Sequence, residues 1–170
     1  MTEVVVDTNV LLVANGAHVE VSPECRKSCV KRLEQIQQSG IVAIDDEWRI
    51  LREYQKKTQP NQPKGVGDVF LKWLLRNLSN PARCHQVTLT EPTENRFTES
   101  PSEPLLANFD PSDRKFVAVA AAHPRRPPIL QAADSKWLGW EAALKTHHVV
   151  VDFICRSDIV GFQGRAYRDD

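Results

Sequence analysis

The feature that most limits the fold of this chain is a repeated unit, a short apolar run without polar alternation followed within a few residues by a helix start. Glu3 to Val6 is one such run and Ile41 to Ile44 another. A strand with one wet face alternates apolar and polar residues, whereas runs apolar throughout belong to strands covered on both faces of a parallel sheet. Ile129 to Ala133 and Val149 to Ile154 read as strands too, and His85 to Thr90 is the one plausible strand between them. Helices fill the intervals. Asn9 to Ala14 opens the first, and Ser22-Pro23-Glu24 gives the second an N-cap and a first-turn proline, with Cys25, Cys29, Leu33 and Ile36 on one face before Gly40 ends it. Asp45-Asp46-Glu47 places negative charge at the start of a third helix running to about Lys57. Asp68 to Leu78 carries Phe70, Trp73, Leu74 and Leu78 on one side, Pro111 or Ser112 begins a fifth helix that Pro124 stops, and Ser135 to Leu144 is the last. Strands alternating with helices imply an α/β layer structure whose sheet is mainly parallel and covered on both faces.

A chain of 170 residues, 41% of them hydrophobic, can bury one core, so a single domain is expected over residues 1–170, with an irregular excursion at about 58–108. Its 22 basic and 22 acidic residues balance, which excludes a global field drawing the chain onto nucleic acid or an anionic membrane. Contact with nucleic acid must be local. No apolar run approaches the roughly 20 residues that span a bilayer, and the opening MTEVVVDTN has neither a charged leader nor a cleavage site. The expectation is a cytoplasmic protein with no membrane partner. Of four cysteines, only Cys25 and Cys29 are close in sequence. With His85 and His123 they could bind zinc, but no second close pair completes a tetrahedral set, and the expectation is reduced core thiols.

Two strands end in aspartate at the same relative position, Val4-Val5-Val6-Asp7 and Ile129-Leu130-Gln131-Ala132-Ala133-Asp134. In adjacent parallel strands both carboxylates lie on one rim. Asp113 starts the helix that leads into the second of these strands, and a helix feeding a parallel strand begins at that same carboxyl rim, where open α/β sheets bind ligands. Each acid alone is more often a turn or cap residue. Together they repel, and a hard divalent cation relieves the repulsion.

These residues carry a resemblance. Val-Val-Val-Asp7-Thr8-Asn9-Val-Leu-Leu resembles the opening of PIN-domain nucleases, and Asp113-Arg-Lys-Phe-Val-Ala-Val-Ala resembles that family's third motif. Ile-Leu-Gln-Ala-Ala-Asp134-Ser resembles the fourth, and Ile44-Asp-Asp-Glu-Trp-Arg-Ile-Leu-Arg-Glu53-Tyr resembles the stretch bearing the family's glutamate. The four occur in family order across nearly the whole chain. The resemblance implies a three-layer, flavodoxin-like, five-stranded parallel sheet flanked by helices. It also implies an endoribonuclease, or less often a deoxyribonuclease, dependent on Mg2+ or Mn2+, in which water attacks phosphorus in line and the ion lowers the water pKa. Asp7, Asp113 and Asp134 would ligate the ion, with Glu53 as ligand or water orienter. Asn9 would steady Asp7, and Thr8 likewise. Some members carry a further acid just after the fourth aspartate, where this chain has Ser135, Lys136 and Trp137, which puts a tight second metal in doubt. Asp110 could substitute but reads better as a turn. Small free-standing members are often toxins, so an antitoxin-type partner and a homodimer enter as expectations.

For the RNA substrate, Arg114 and Lys115 start the helix at Asp113 and are placed to meet phosphates, together with Asn9 and Ser135 beside the acids. Lys56, Lys57 and Lys64 flank the Pro/Gly-rich loop. Arg125-Arg126 follows the far end of that helix and reads as a solvated turn. Trp137, three residues past Asp134, is the tryptophan to test for base stacking, whereas Trp73 reads as core. Two rivals remain, a non-catalytic PIN-like module binding RNA or protein, and a response-regulator- or phosphatase-like domain, which usually needs a lysine at a strand end that is missing here. Resemblance selects Glu53 on the third helix; strand-end geometry alone favours Asp46.

Overall fold

A computed structural model describes residues 2–18 and 20–159. Strands β1 (Glu3–Val6), β2 (Ile41–Asp45), β3 (Cys84–Val87), β4 (Ile129–Gln131) and β5 (Val151–Phe153) form one sheet, parallel at every pairing, in the order β3-β2-β1-β4-β5. Helices α1 (Thr8–Ala14), α2 (Pro23–Ser39), α3 (Arg49–Lys57), α4 (Val66–Asn77), α5 (Arg114–Ala122) and α6 (Lys136–Thr146) flank it. This is the expected three-layer, flavodoxin-like α/β arrangement. Residues 1, 19 and 160–170, which the single-domain expectation also covers, lie outside the described residues. Among the described residues no helix is long and apolar enough to cross a membrane.

Val4, Val5 and Val6 are buried, as a strand covered on both faces requires. From β1 the chain moves outward to β2 and β3, then returns to the other side of β1 for β4 and β5. Right-handed crossovers therefore put α1 to α4 on one face and α5 and α6 on the other. In keeping with this, α1 packs on α2 and α4, α5 lies across β1 and β2, and α6 packs on β5. The order reverses between β1 and β4, whose register pairs Val6 with Leu130, and the Asp7 N–H donates to the Leu130 carbonyl at 3.0 Å. That reversal opens a crevice at the carboxyl ends of the two strands.

Helix α2 begins as expected, with the Ser22 hydroxyl accepting from the Cys25 N–H at 3.1 Å and Gly40 as C-cap. Helices α1 and α4 approach closely at Gly67, where a Cβ would stand 2.3 Å from the Leu11 carbonyl oxygen. Much of the expected excursion is regular. Its first part contains the α4 crossover, β3 is the edge strand, and the longest irregular stretch is Thr88–Asp110, with a short 3-10 turn at Pro104–Leu106.

Two expectations need correction. The third helix does not start on Asp45-Asp46-Glu47. Asp45 is the buried last residue of β2, and its carboxylate accepts the N–H groups of Arg49 and Ile50, both at 3.0 Å, two donors that a helix start leaves unpaired. Trp48 adopts φ 65° to make the turn, and Asp46 binds the Thr88 hydroxyl at 2.6 Å on the β2/β3 side. The cysteines are not all thiols either. Cys29 and Cys84 are buried and unbonded, while Cys25 and Cys155 form a disulfide. At the amino rim, Arg125 is exposed in the turn after α5, as expected, and its side chain has partners there. Together with His123 at 2.7 Å and His85, it closes on Glu3, whose carboxylate accepts from Arg125 Nε at 3.0 Å.

Replacing Asp45 with Ala strands two buried donors. An expected loss of about 2–3 kcal/mol in urea unfolding contrasts with no more than about 0.5 kcal/mol for Asp46→Ala. Equal losses would show that the acidic run as a whole caps α3.

Candidate functional site

The four acids singled out in the sequence come from four separate places and share one electrostatic field. Asp7 follows β1 and caps α1, its buried carboxylate accepting the Asn9 N–H at 2.9 Å. Asp134 follows β4 and accepts the Lys136 N–H at 3.1 Å. Asp113 ends the 3-10 turn Pro111–Asp113 that leads into α5 and is half-buried. Glu53 reaches the group because α3 leans over the end of β1, where the Tyr54 hydroxyl donates to the Val6 carbonyl and the Thr8 hydroxyl donates to Glu53. Lys115 on α5 contacts the other Glu53 oxygen at 2.8 Å.

Burial pushes the Asp7 carboxyl up to about 7, and the charges of Glu53 and Asp134 add to the rise against the opposing Asn9 N–H and Gln131 amide. Burial likewise pushes Asp113 up to about 8, with Asp7, Asp110, Asp134 and Glu53 all raising it further. Asp46 is not in this field; it sits with Thr88. Asp110 is the turn residue it reads as, its carboxylate accepting the Ser112 N–H at 3.1 Å, although its charge reaches Asp113.

The residues chosen for substrate contact fare differently. Arg114 is turned into the irregular segment, donating to the carbonyls of Phe109 at 3.1 Å and Asn95 at 3.4 Å, and does not present its guanidinium to the acids. Lys115 is buried between Glu53 and the Ser112 carbonyl, so it serves the acidic group and not solvent phosphates. The Asn9 side chain accepts the Ala133 N–H at 3.0 Å, tying the turn after β1 to the turn after β4; its backbone, not its amide, steadies Asp7. Ser135 is exposed beside Asp134 and its side chain does not cap α6. Trp137 is fully buried, edge-on to Phe109 at 5.1 Å, and is unavailable for stacking on a base. Trp73 packs against Phe70 at 5.7 Å. Lys56, Lys57 and Lys64 are exposed.

Gln131 was missed by reading the sequence. It is fully buried at the end of β4, its Oε1 accepts the Ala132 N–H at 2.9 Å, and its amide holds down the Asp7 pKa. The signal was available, since Gln131 is the lone polar residue in the run from Ile129 to Ala133.

Among the described residues, two other groups bring three ligand atoms within 4.8 Å of one another, Cys25 with Cys29 and Cys155, and Glu3 with His85 and His123. The acidic quartet is more open than either. Its donors are all carboxylate oxygens, two of them held up in pKa by burial and mutual repulsion, and one lysine offsets part of the charge. That donor chemistry fits a hard divalent cation such as Mg2+ or Mn2+. Comparison with protein-family models, with curated proteins and with solved structures gives no match.

The raised carboxyls fix the sign of a pH effect. Asp7 and Asp113, at about 7 and about 8 when folded against 3.8 ordinarily, favour folding fully below the ordinary value, and lose that contribution as pH rises through 7 to 8. In chelator, Asp7→Asn is therefore expected to raise the Tm at pH 8, and to raise it less at pH 5. Thermal melts across that range check it; a large drop at every pH would make Asp7 a structural cap only.

Proposed function

We propose that the chain is a Mg2+- or Mn2+-dependent phosphodiesterase that hydrolyses RNA, an endoribonuclease. One observation carries the reading: carboxylates from four separate places share one electrostatic field at the switch point of a doubly wound sheet, with two of them pushed up to about 7 and about 8. A fold needs no such concentration of like charge. Asp7, Asp113 and Asp134 are the residues that would hold the ion, and Glu53 the one that would ligate it or orient water. When bound, the ion supplies charge neutralisation at the phosphate oxygens and a lowered water pKa. The chain's own part is orientation. The Asn9 N–H fixes Asp7, while Thr8 and Lys115 hold the two oxygens of Glu53. The exposed Lys56, Lys57 and Lys64 are candidates for phosphate contact. RNA as substrate, a homodimer and an antitoxin-type partner in the cytoplasm all rest on the resemblance to PIN domains.

A second reading, a non-catalytic PIN-like module that binds RNA or protein, has one observation in its favour. The Lys115–Glu53 pair at 2.8 Å already gives one carboxylate a protein cation.

Labelled RNA separates the two. Cleavage is expected in Mg2+ or Mn2+ and not in chelator, abolished by Asp7→Asn or Asp134→Asn. Glu53→Gln should cost at least about a hundredfold in rate, some 2.7 kcal/mol, and Asp46→Asn little. RNA shifted on a gel but left intact in Mn2+ supports the binding module. Full activity in chelator would end the metal reading, and a larger loss at Asp46 than at Glu53 would move the site.

A further inference from the structure

Cys25 and Cys29 lie one turn apart on α2, and Cys155 follows β5, so two elements bring three buried sulfurs within 4.8 Å of one another. Cys25 and Cys155 are bonded, and Cys29 remains a thiol with its Sγ 3.8 Å from Cys155 Sγ. A staple between α2 and the end of the sheet requires two cysteines, and the third is not accounted for by it. In a reducing compartment such a bond opens. A dithiol delivers two electrons and two protons to the Cys25–Cys155 pair and is itself oxidised to its disulfide, leaving three thiols directed at one point.

Thiolates about 2.3 Å from a tetrahedral zinc ion stand about 3.8 Å apart along the tetrahedron edge. Cys29 and Cys155 already hold that separation. The Cys25 and Cys155 Cα atoms are 5.2 Å apart, close enough for their sulfurs to take up the same spacing once the bond is open. We propose that Cys25, Cys29 and Cys155, once reduced, form a zinc site with three sulfur ligands and one oxygen ligand. Both Asp158 oxygens are held by Ser22, one by its N–H at 2.7 Å and the other by its hydroxyl at 2.8 Å, so water is the oxygen ligand at the fourth position. Each ligating thiol releases its proton to solvent as its sulfur takes the ion, so binding strengthens as pH rises. Soft thiolates select zinc over Mg2+ or Mn2+, which keeps this site chemically separate from the carboxylates.

The other compact group, Glu3 with His85 and His123, is a poorer zinc set. His123 Nδ1 accepts the Arg125 N–H at 3.1 Å, so the neutral ring carries its proton on Nε2, the atom facing Glu3 at 2.7 Å, and offers no lone pair there.

The full chain, reduced with a phosphine and equilibrated with micromolar zinc, is expected to hold about one zinc per chain. Elemental analysis gives the count, and alkylation followed by mass spectrometry should find Cys25, Cys29 and Cys155 protected. Cys29→Ser should weaken zinc binding at least about a hundredfold, whereas Cys84→Ser should leave it unchanged. The oxidised chain should bind none at these sulfurs. A reduced, folded chain without zinc overturns the proposal, as does undiminished binding in Cys29→Ser or in the oxidised form. Should Cys29→Ser fail to fold, cobalt added to the reduced wild-type chain decides: absence of sulfur-to-cobalt charge-transfer absorption overturns it.

Discussion

The carboxyl rim is arranged around a buried carboxylate whose charged neighbours include further carboxylates. Asp7 ends the central strand, where the polypeptide is least free to move, and the Asp7 N–H is itself spent on the Leu130 carbonyl. Its carboxylate therefore cannot swing to solvent to escape Glu53 and Asp134, whose charges raise it. Everything near it either adds to that charge or restrains it. The Asn9 N–H and the Gln131 amide lower its pKa; Glu53 and Asp134 raise it. An arrangement of this kind is costly for folding alone, because burying like charges without compensation destabilises the native state.

What brings the fourth acid in is the path of α3. A helix running straight back beside its strand would carry Glu53 about 10 Å from the rim. Two hydrogen-bonded contacts prevent it. Asp45 seizes the first N–H groups of the helix and Trp48 turns the chain through φ 65°, which delays the helix start until Arg49. Tyr54, fully buried, then pins the middle of α3 to the Val6 carbonyl, one residue before Asp7. Glu53 is next to that pin in sequence, so it reaches the acids that Tyr54 lies beside. The cap at Asp45 and the chemistry proposed at Glu53 are thus linked through one short helix.

Elements were legible in the sequence wherever the signal is local. The apolar runs fixed the strands to within two or three residues at their ends, and Ser22, Gly40 and Pro124 marked helix ends where each sits in the structure. Convergence of Asp7, Asp113 and Asp134 followed from topology, because strand direction decides which rim a residue occupies. Side-chain destinations were not legible. Arg114 and Lys115 are adjacent, yet about 100° of helical rotation sends one into the irregular segment and the other to Glu53. Trp137 follows the site in sequence, but its large apolar ring is buried against Phe109, which comes from the Thr88–Asp110 stretch that no pattern constrains. The pairing of Cys25 with Cys155 spans 130 residues, a contact that spacing alone does not specify. Asp45 misled for a related reason, since an acid that caps a helix and one that merely precedes it look alike until the turn geometry is known.

The restraints on Glu53 also bear on which of its two suggested roles it takes. Thr8 donates to one oxygen and Lys115 to the other, and Lys115 is held in turn by the Ser112 carbonyl. A carboxylate oxygen has two lone pairs, so each still has one to offer, in a direction the existing bonds determine. Direct ligation would ask Glu53 to face both a divalent ion and the Lys115 ammonium, two positive centres across one small group, and their repulsion disfavours that arrangement. A water held by the remaining lone pair involves no such conflict, and the fixed carboxylate orients it. Asp7 and Asp113 have no lysine partner, and their raised pKa values reflect negative charge that Lys115 does not offset. On the proposed reading the division of labour follows from these partners: the aspartates hold the ion, and Glu53, already held by the protein, aims the water.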